Sequence, residues 1–264
     1  MKTIRMRWVV AGAAGALLAT VSWGLGGPPL VSKVVYWADF ENDTVGNKPA
    51  AVNVKVGLGQ TASWAVTEPS GGSIRVATDG SNKYMNWTAP TNWGKPRAYL
   101  YVDKGVNLAD IGPGESLVQS FKFRWNLFTN GTPYSRMSYY EHGWSGGSLP
   151  SISSWYQRGD SPVDWMIVGG SGAGIEPGPN LTAGHWYVAT QVFDFVAHNY
   201  TMSVTDLGTG QGGSPAPQSL VVSVTNAGGF ELNQNDSGTM ANLDIDDIKL
   251  QKFVPVKGAM VMIR

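Results

Sequence analysis

Apolar and polar residues alternate with a period of two along much of the chain. The clearest run is residues 117–127, where odd positions are mostly apolar and even positions mostly polar. That pattern predicts a strand with one face packed inward and the other toward solvent or a partner. Alternation returns at residues 185–195 and 200–205, with 196–199 read as the turn of a hairpin. Shorter candidate strands at 52–58, 62–67, 73–77, 84–87, 98–102, 152–156, 165–168 and 220–224 are separated by Gly, Pro, Asn and Asp. No amphipathic helix is read after Pro29, and the close spacing of turns predicts an all-β sandwich or barrel.

The two ends of this region form a matched pair. Residues 34–46 open apolar and close on an acidic, Gly-ended loop, while residues 242–250 alternate hydrophobic and acidic side chains. The first and last strands are therefore expected to pair. Leu243 and Ile245 share a face, but Ile248 and Leu250 fall on the opposite face of a regular strand. A β-bulge at Asp246–Asp247 restores the phase and turns a carboxylate toward the sheet rim. With Glu41, Asn42, Asp43 and Gly46 from the first-strand loop, Asp246 and Asp247 make a candidate calcium site of hard oxygen ligands. The alternative is that these acids cap turns and accept backbone N–H bonds.

Composition narrows the classes. Of the 264 residues 42% are hydrophobic, enough for a sizeable core, whereas 14% are charged, against roughly a quarter in an average soluble protein. The formal net charge is zero, so no electrostatic footprint for nucleic acid exists. The absence of cysteine removes disulfides, thiolate metal sites and cysteine lipidation.

Lys2, Arg5 and Arg7 precede an uncharged run from Trp8 to Leu25 that ends before Gly26, Gly27 and Pro28. It reads either as a cleaved signal peptide or as an uncleaved signal anchor with Trp8 and Trp23 at the two membrane interfaces. Both readings place the N-terminus in the cytoplasm and the bulk of the chain in the periplasm or another extracytoplasmic space. The domain plan is a cytoplasmic tail at 1–7, a transmembrane helix at 8–27, a sandwich at 31–253 and a tail or edge strand at 254–264.

With these segments placed, the chain resembles the concanavalin A-like lectin and glucanase superfamily, which includes laminin G-like jelly rolls. The resemblance rests on Asp39-Phe40-Glu41 with Gly46 and Pro49, on Trp186-Tyr187 through Phe193-Asp194-Phe195 and residues 200–204, and on Asp246-Asp247-Ile248-Lys249-Leu250. It covers roughly residues 34–253 and implies a two-sheet antiparallel jelly-roll sandwich, with neighbouring end strands and often a structural calcium. Many relatives bind or cleave glycans, and others hold proteins together. The Glu-x-Asp-x-x-Glu strand of the glucanases and the Gln-Ile-His motif of the alginate lyase-like members are missing here.

Without those motifs, the best local substitute for a site is the stretch carrying Arg136, Tyr139, Tyr140, His142 and Trp144, a weak glycan-binding candidate in which Tyr and His offer acid and base and Trp offers stacking. Trp87, Trp93, Trp144 and Trp155 are candidates for a glycan platform. The reading that results is non-catalytic: a membrane-anchored accessory subunit packing on integral membrane proteins, with a carbohydrate-binding module, or less readily a polysaccharide lyase or glycoside hydrolase, as the alternative. The apolar tail at 254–264 is a further contact candidate.

Overall fold

The structure, a computed structural model, describes residues 30–57, 59–68, 71–89, 97–128, 135–140, 151–158, 164–168, 174–175, 181–213, 217–219, 226–234 and 241–255. In chain order its strands are β1 (Leu30–Ala38), β2 (Lys55–Val56), β3 (Ala62–Thr67), β4 (Ser73–Asp79), β5 (Asn82–Ala89) and β6 (Arg97–Asn107). Next come β7 (Ser116–Phe128), β8 (Ser135–Tyr140), β9 (Ser151–Arg158), β10 (Asp164–Val168), β11 (Gly174–Ile175) and β12 (Trp186–Asp194). The remainder are β13 (Asn199–Asp206), β14 (Gly212–Gly213), β15 (Gln218–Ser219), β16 (Asn226–Gln234) and β17 (Ala241–Pro255). Strands β8 to β11 are described by their backbone pairing.

These strands form two antiparallel sheets. Sheet A runs β14-β13-β12-β7-β17-β1-β2, with the β4-β5 hairpin also joined to β17 and β15 to β13; sheet B runs β11-β10-β9-β8-β16-β6-β3. Period-two burial explains the layering. On β7, Leu117, Phe121, Phe123 and Trp125 are buried, as alternation predicts. Phe121 meets Phe230 of β16 across the core with ring centroids 5.4 Å apart, and Phe123 stacks on Tyr187 of β12 at 5.3 Å. Burying each such side chain contributes about 1.5–3 kcal/mol. Gln119, the polar residue on the inward face of β7, accepts from Tyr36 Oη at 2.6 Å, so the buried amide is paired rather than stranded.

β1 pairs with β17 from Leu30↔Pro255 to Ala38↔Ile248, as the end-strand argument expects. The β17 bulge lies where the phase argument places it: Asp246 faces Lys122 and Lys249 faces Ser120, leaving one extra residue on β17. Asp247 takes φ +50° there. Residues 241–245 pair with β5 and residues 248–255 with β1, so the bulge marks the point where β17 exchanges one neighbour for another. Leu243, Ile245, Ile248 and Leu250 are consequently all buried.

Several local expectations change. Residues 52–58 are not one strand: a short 3-10 turn at Ala51–Asn53 precedes the two-residue β2, because Asp43 Oδ1 accepts from Ala50 N and Asn53 Nδ2 and ties the segment to the first loop. The closing strand runs two residues past the expected end, to Pro255. Trp87 is fully buried on the core face and forms no part of a glycan platform.

Candidate functional site

Two places among the described residues concentrate polar chemistry, one on the face of each sheet that turns away from the core. On sheet B the centre is Glu231 of β16. Its neighbours Phe230 and Leu232 point into the core, so alternation puts Glu231 on the opposite face, yet it is only 2% exposed. Among the described residues its Oε2 has no hydrogen-bond partner. Beside it Tyr99 of β6, the register partner of Glu231, bonds to the carboxylate and accepts from Arg97 Nη1 at 3.1 Å. Burial, with the Glu231 charge adding to it, pushes the Tyr99 phenol up to about 12. The tyrosine therefore stays a donor toward Glu231 at any ordinary pH.

The same face extends sideways in both directions. Tyr101 lies two residues along β6 from Tyr99, and its partner Gly229 adds no side chain there. On the other side of β16, Ser138 of β8 stands opposite Glu231 and Arg136 opposite Asn233. The backbone register thus brings the strand containing Arg136, Tyr139 and Tyr140 beside the strand that carries Glu231. His142 and Trp144 lie outside the described residues, as does Trp93. Sequence reading missed Glu231 because residues 226–234 carry two glycines, and their alternation shows only once Phe230 and Leu232 are known to face the core.

On sheet A, Asp244 of β17 is 1% exposed and fully engaged. Arg124 reaches it through Nε and Nη2 at 2.9 and 2.8 Å, and Asn86 and Asn126 each donate to it at 2.6 Å. Arg124 also bonds Asp79 at 3.0 Å and packs over the rings of Trp186 and Tyr84. Next to this network lies a cavity of about 530 Å³ lined by Asp79, Asn82, Lys122, His185, Trp186 and Asp246, among others. His185 Nδ1 is 2.8 Å from Asp206 Oδ2, and that contact, with backbone bonds from Gly208 and Thr209, holds the Asp206 carboxyl below its usual range. Asp246 behaves oppositely: burial first, and the neighbouring Asp247 charge second, push it up to about 7.

The residues of the calcium candidate divide between two lysines. Lys83 Nζ donates to the carbonyl oxygens of Glu41 and Asp43 at 2.9 and 2.8 Å, and Lys83 N to Glu41 Oε1 at 3.2 Å. Lys122 Nζ contacts Asp247 Oδ2 at 2.5 Å and Asp246 Oδ2 at 3.7 Å. Gly46, at φ +87°, donates its N–H to Val76 O, while Asn42 is exposed. Among the described residues no three carboxylate or imidazole side chains converge as a metal site. Arranged this way, the set does not fit a single ion, since an ammonium already occupies the oxygens of each half.

No protein-family model and no curated protein sequence matches the chain. Solved structures do resemble it. A carbohydrate esterase of the Shiga toxin-encoding bacteriophage phi24B superposes with a TM-score of 0.55 at 14% identity, covering 84% of this chain and 99% of the other. Lectin I of Ulex europaeus, solved with the methyl glycoside of α-L-fucose, gives 0.52 at 10% identity, over 84% and 98%. The catalytic domain of a glycoside hydrolase family 131 protein from Coprinopsis cinerea gives 0.50 at 14% identity, over 83% and 94%. The fold is therefore the concanavalin A-like jelly-roll sandwich, and at these identities the likeness establishes the fold alone.

Proposed function

We propose that the protein is a carbohydrate-binding jelly roll whose glycan face is the side of sheet B turned away from the core, around Glu231. The observation that carries this reading is the Glu231 carboxylate, buried on the non-core face with Tyr99 on one side and an unpartnered oxygen. A buried acceptor without a donor costs roughly 1–3 kcal/mol, more when charged, and such a cost is retained where a ligand group completes the bond. Sugar hydroxyls supply that donor, and Tyr101 adds aromatic surface beside it. The lectin and carbohydrate-active neighbours in structure support the same substrate class. The test is a glycan array with wild type and Glu231→Gln, each checked for its melting temperature. The variant is expected to lose about tenfold or more in affinity, the scale of a hydrogen bond to a charged group. Unchanged binding in the variant, or an array with no glycan bound, overturns the reading.

A second reading is an accessory subunit tethered by residues 8–27 and displayed outside the cytoplasm. Those residues, Trp8 and Trp23 included, lie outside the described residues, and among the described ones no helix is long and apolar enough to cross a membrane. The observation that favours it is the start of β1. Leu30, Val31 and Val34 are exposed, and β2 covers only Tyr36 and Trp37, so among the described strands residues 30–34 keep an uncovered edge able to accept a partner. Mild detergent extraction followed by sizing and mass spectrometry tests it; a monomer running alone rejects the subunit role. Catalysis has no support beyond the enzyme names among the structural neighbours.

A further inference from the structure

The cavity on sheet A has no part in the sheet B reading, and its chemistry is specific. Trp186 forms a wall of it and is held rigidly: its ring meets Tyr84 edge-on at 5.7 Å, Arg124 packs over it at 4.7 Å, and its carbonyl accepts from Leu207 N. Facing the cavity are acceptors and donors together, Asp79 and Asp246 against Asn82, Lys122 and His185. Asp246 is the group left short of partners. It is 3% exposed, its Oδ1 accepts from Asp247 N at 2.7 Å, and among the described residues its Oδ2 has Asn82 Nδ2 at 3.4 Å and Lys122 Nζ at 3.7 Å. Both distances exceed those of a strong hydrogen bond. Lys122 is already committed to Asp247 at 2.5 Å.

We infer that this cavity is a second carbohydrate subsite, on the sheet opposite Glu231, that takes a neutral sugar ring against Trp186 with its hydroxyls bonded to Asp246, Asn82 and Asp79. Charge balance selects the ligand. A polyanion meets Asp79 and Asp246, and a cation meets Lys122 and the adjoining Arg124. A sugar hydroxyl donates and accepts at once and matches the mixed lining, and an aromatic wall with a few fixed polar groups is the usual make-up of a small-ligand site. The volume of about 530 Å³ lies within the range of small-ligand pockets, roughly 300–1,000 Å³. The inference rests on the glycan reading for its ligand class and on independent residues for its site. With one site per sheet, a single chain bridges two glycan strands, and clustered chains gain avidity from both.

The test is a backbone and indole N–H NMR titration of the full chain with glucose, galactose, mannose and N-acetylglucosamine. One of them is expected to shift the Trp186 indole and the Asn82 and Gly208 amides saturably, with the same shifts in Glu231→Gln. Trp186→Leu is expected to weaken this binding about tenfold, the worth of an aromatic contact, and Asn82→Ala, a turn substitution outside the core, to weaken it less. Shifts confined to Tyr99 and Glu231 overturn the second subsite and leave the sheet B reading standing. No shift at Trp186 with any of the four sugars also overturns it, while the array decides Glu231 separately.

Discussion

Trp37 of the first strand donates through Nε1 to Asp247 Oδ1 of the last strand at 2.9 Å, 210 residues away in sequence. Asp247 is the bulge residue, held at positive φ. The bond therefore ties the opening strand to the point where β17 changes neighbours. Lys55 and Lys249 pack on the Trp37 ring at 3.8 and 4.2 Å, keeping the indole in place.

Removing this tie weakens the closure of the sandwich. Trp37→Phe is expected to cost about 1–2 kcal/mol in urea unfolding, from the lost bond and the freed Asp247 oxygen. Asp247→Ala is expected to cost more than Asp247→Asn. Asn tolerates the left-handed backbone and keeps an acceptor for Trp37, whereas Ala carries a penalty of about 1 kcal/mol there. Equal losses for the two variants would show that the bulge conformation is not under strain.

Asp246 predicts a pH effect with a definite sign. Burial and the Asp247 charge push its folded value up to about 7, above the roughly 3.9 of an exposed aspartate, so the unfolded chain releases this proton first and stability falls as pH rises between those values. Facing it are Asp247 on its own strand, Lys122 on β7 and Asn82 on the β4-β5 turn. Asp246→Asn is expected to raise the melting temperature more at pH ~8 than at pH ~5, because only the higher pH charges the native carboxylate. Asp247 opposes this: despite burial, Lys122 holds its carboxyl low. Its contribution is present above the ordinary carboxylate value and is lost as pH falls through the depressed one.

Glu231 predicts a trade between stability and binding. Replacing it by Gln removes a buried charge with an unpartnered oxygen, so the melting temperature is expected to hold or rise while glycan affinity falls. Tyr99→Phe is expected to weaken binding as well, since it takes away the donor that orients the carboxylate. A parallel loss of stability and binding in Glu231→Gln would point to a purely structural glutamate.

For calcium, we propose that the Glu41–Asp43 loop takes the ion only when the Lys83 ammonium is removed. Wild-type melting is expected to be insensitive to chelator and to added calcium, and Lys83→Met is expected to gain stability on calcium addition. A wild-type shift with calcium would place the ion elsewhere on the rim.

Much of the architecture was legible along the chain. Alternation at residues 117–127 identified β7 and its buried face, and the broken phase between Ile245 and Ile248 located the bulge before any strand was paired. Pairing of the first and last strands followed from their matched composition. What local pattern left open was every decision made by a neighbour from far along the sequence. Trp87, at the end of a candidate strand, reads as a glycan-platform residue until β17 and β4 flank it and it is buried. Glu231 is an ordinary charged residue until Phe230 and Leu232 are turned to the core and Tyr99 is placed beside it.

Side-chain alternation is a local consequence of the pleat, so an all-β sandwich closed by its two end strands is written along the chain. Which polar groups are buried, and which are paired, follows from long-range packing instead. Burial and partner distance are properties of packing: they separate the fully bonded Asp244 from Asp246, two residues away on the same strand, and they leave one oxygen of Glu231, like one of Asp39, buried without a partner among the described residues.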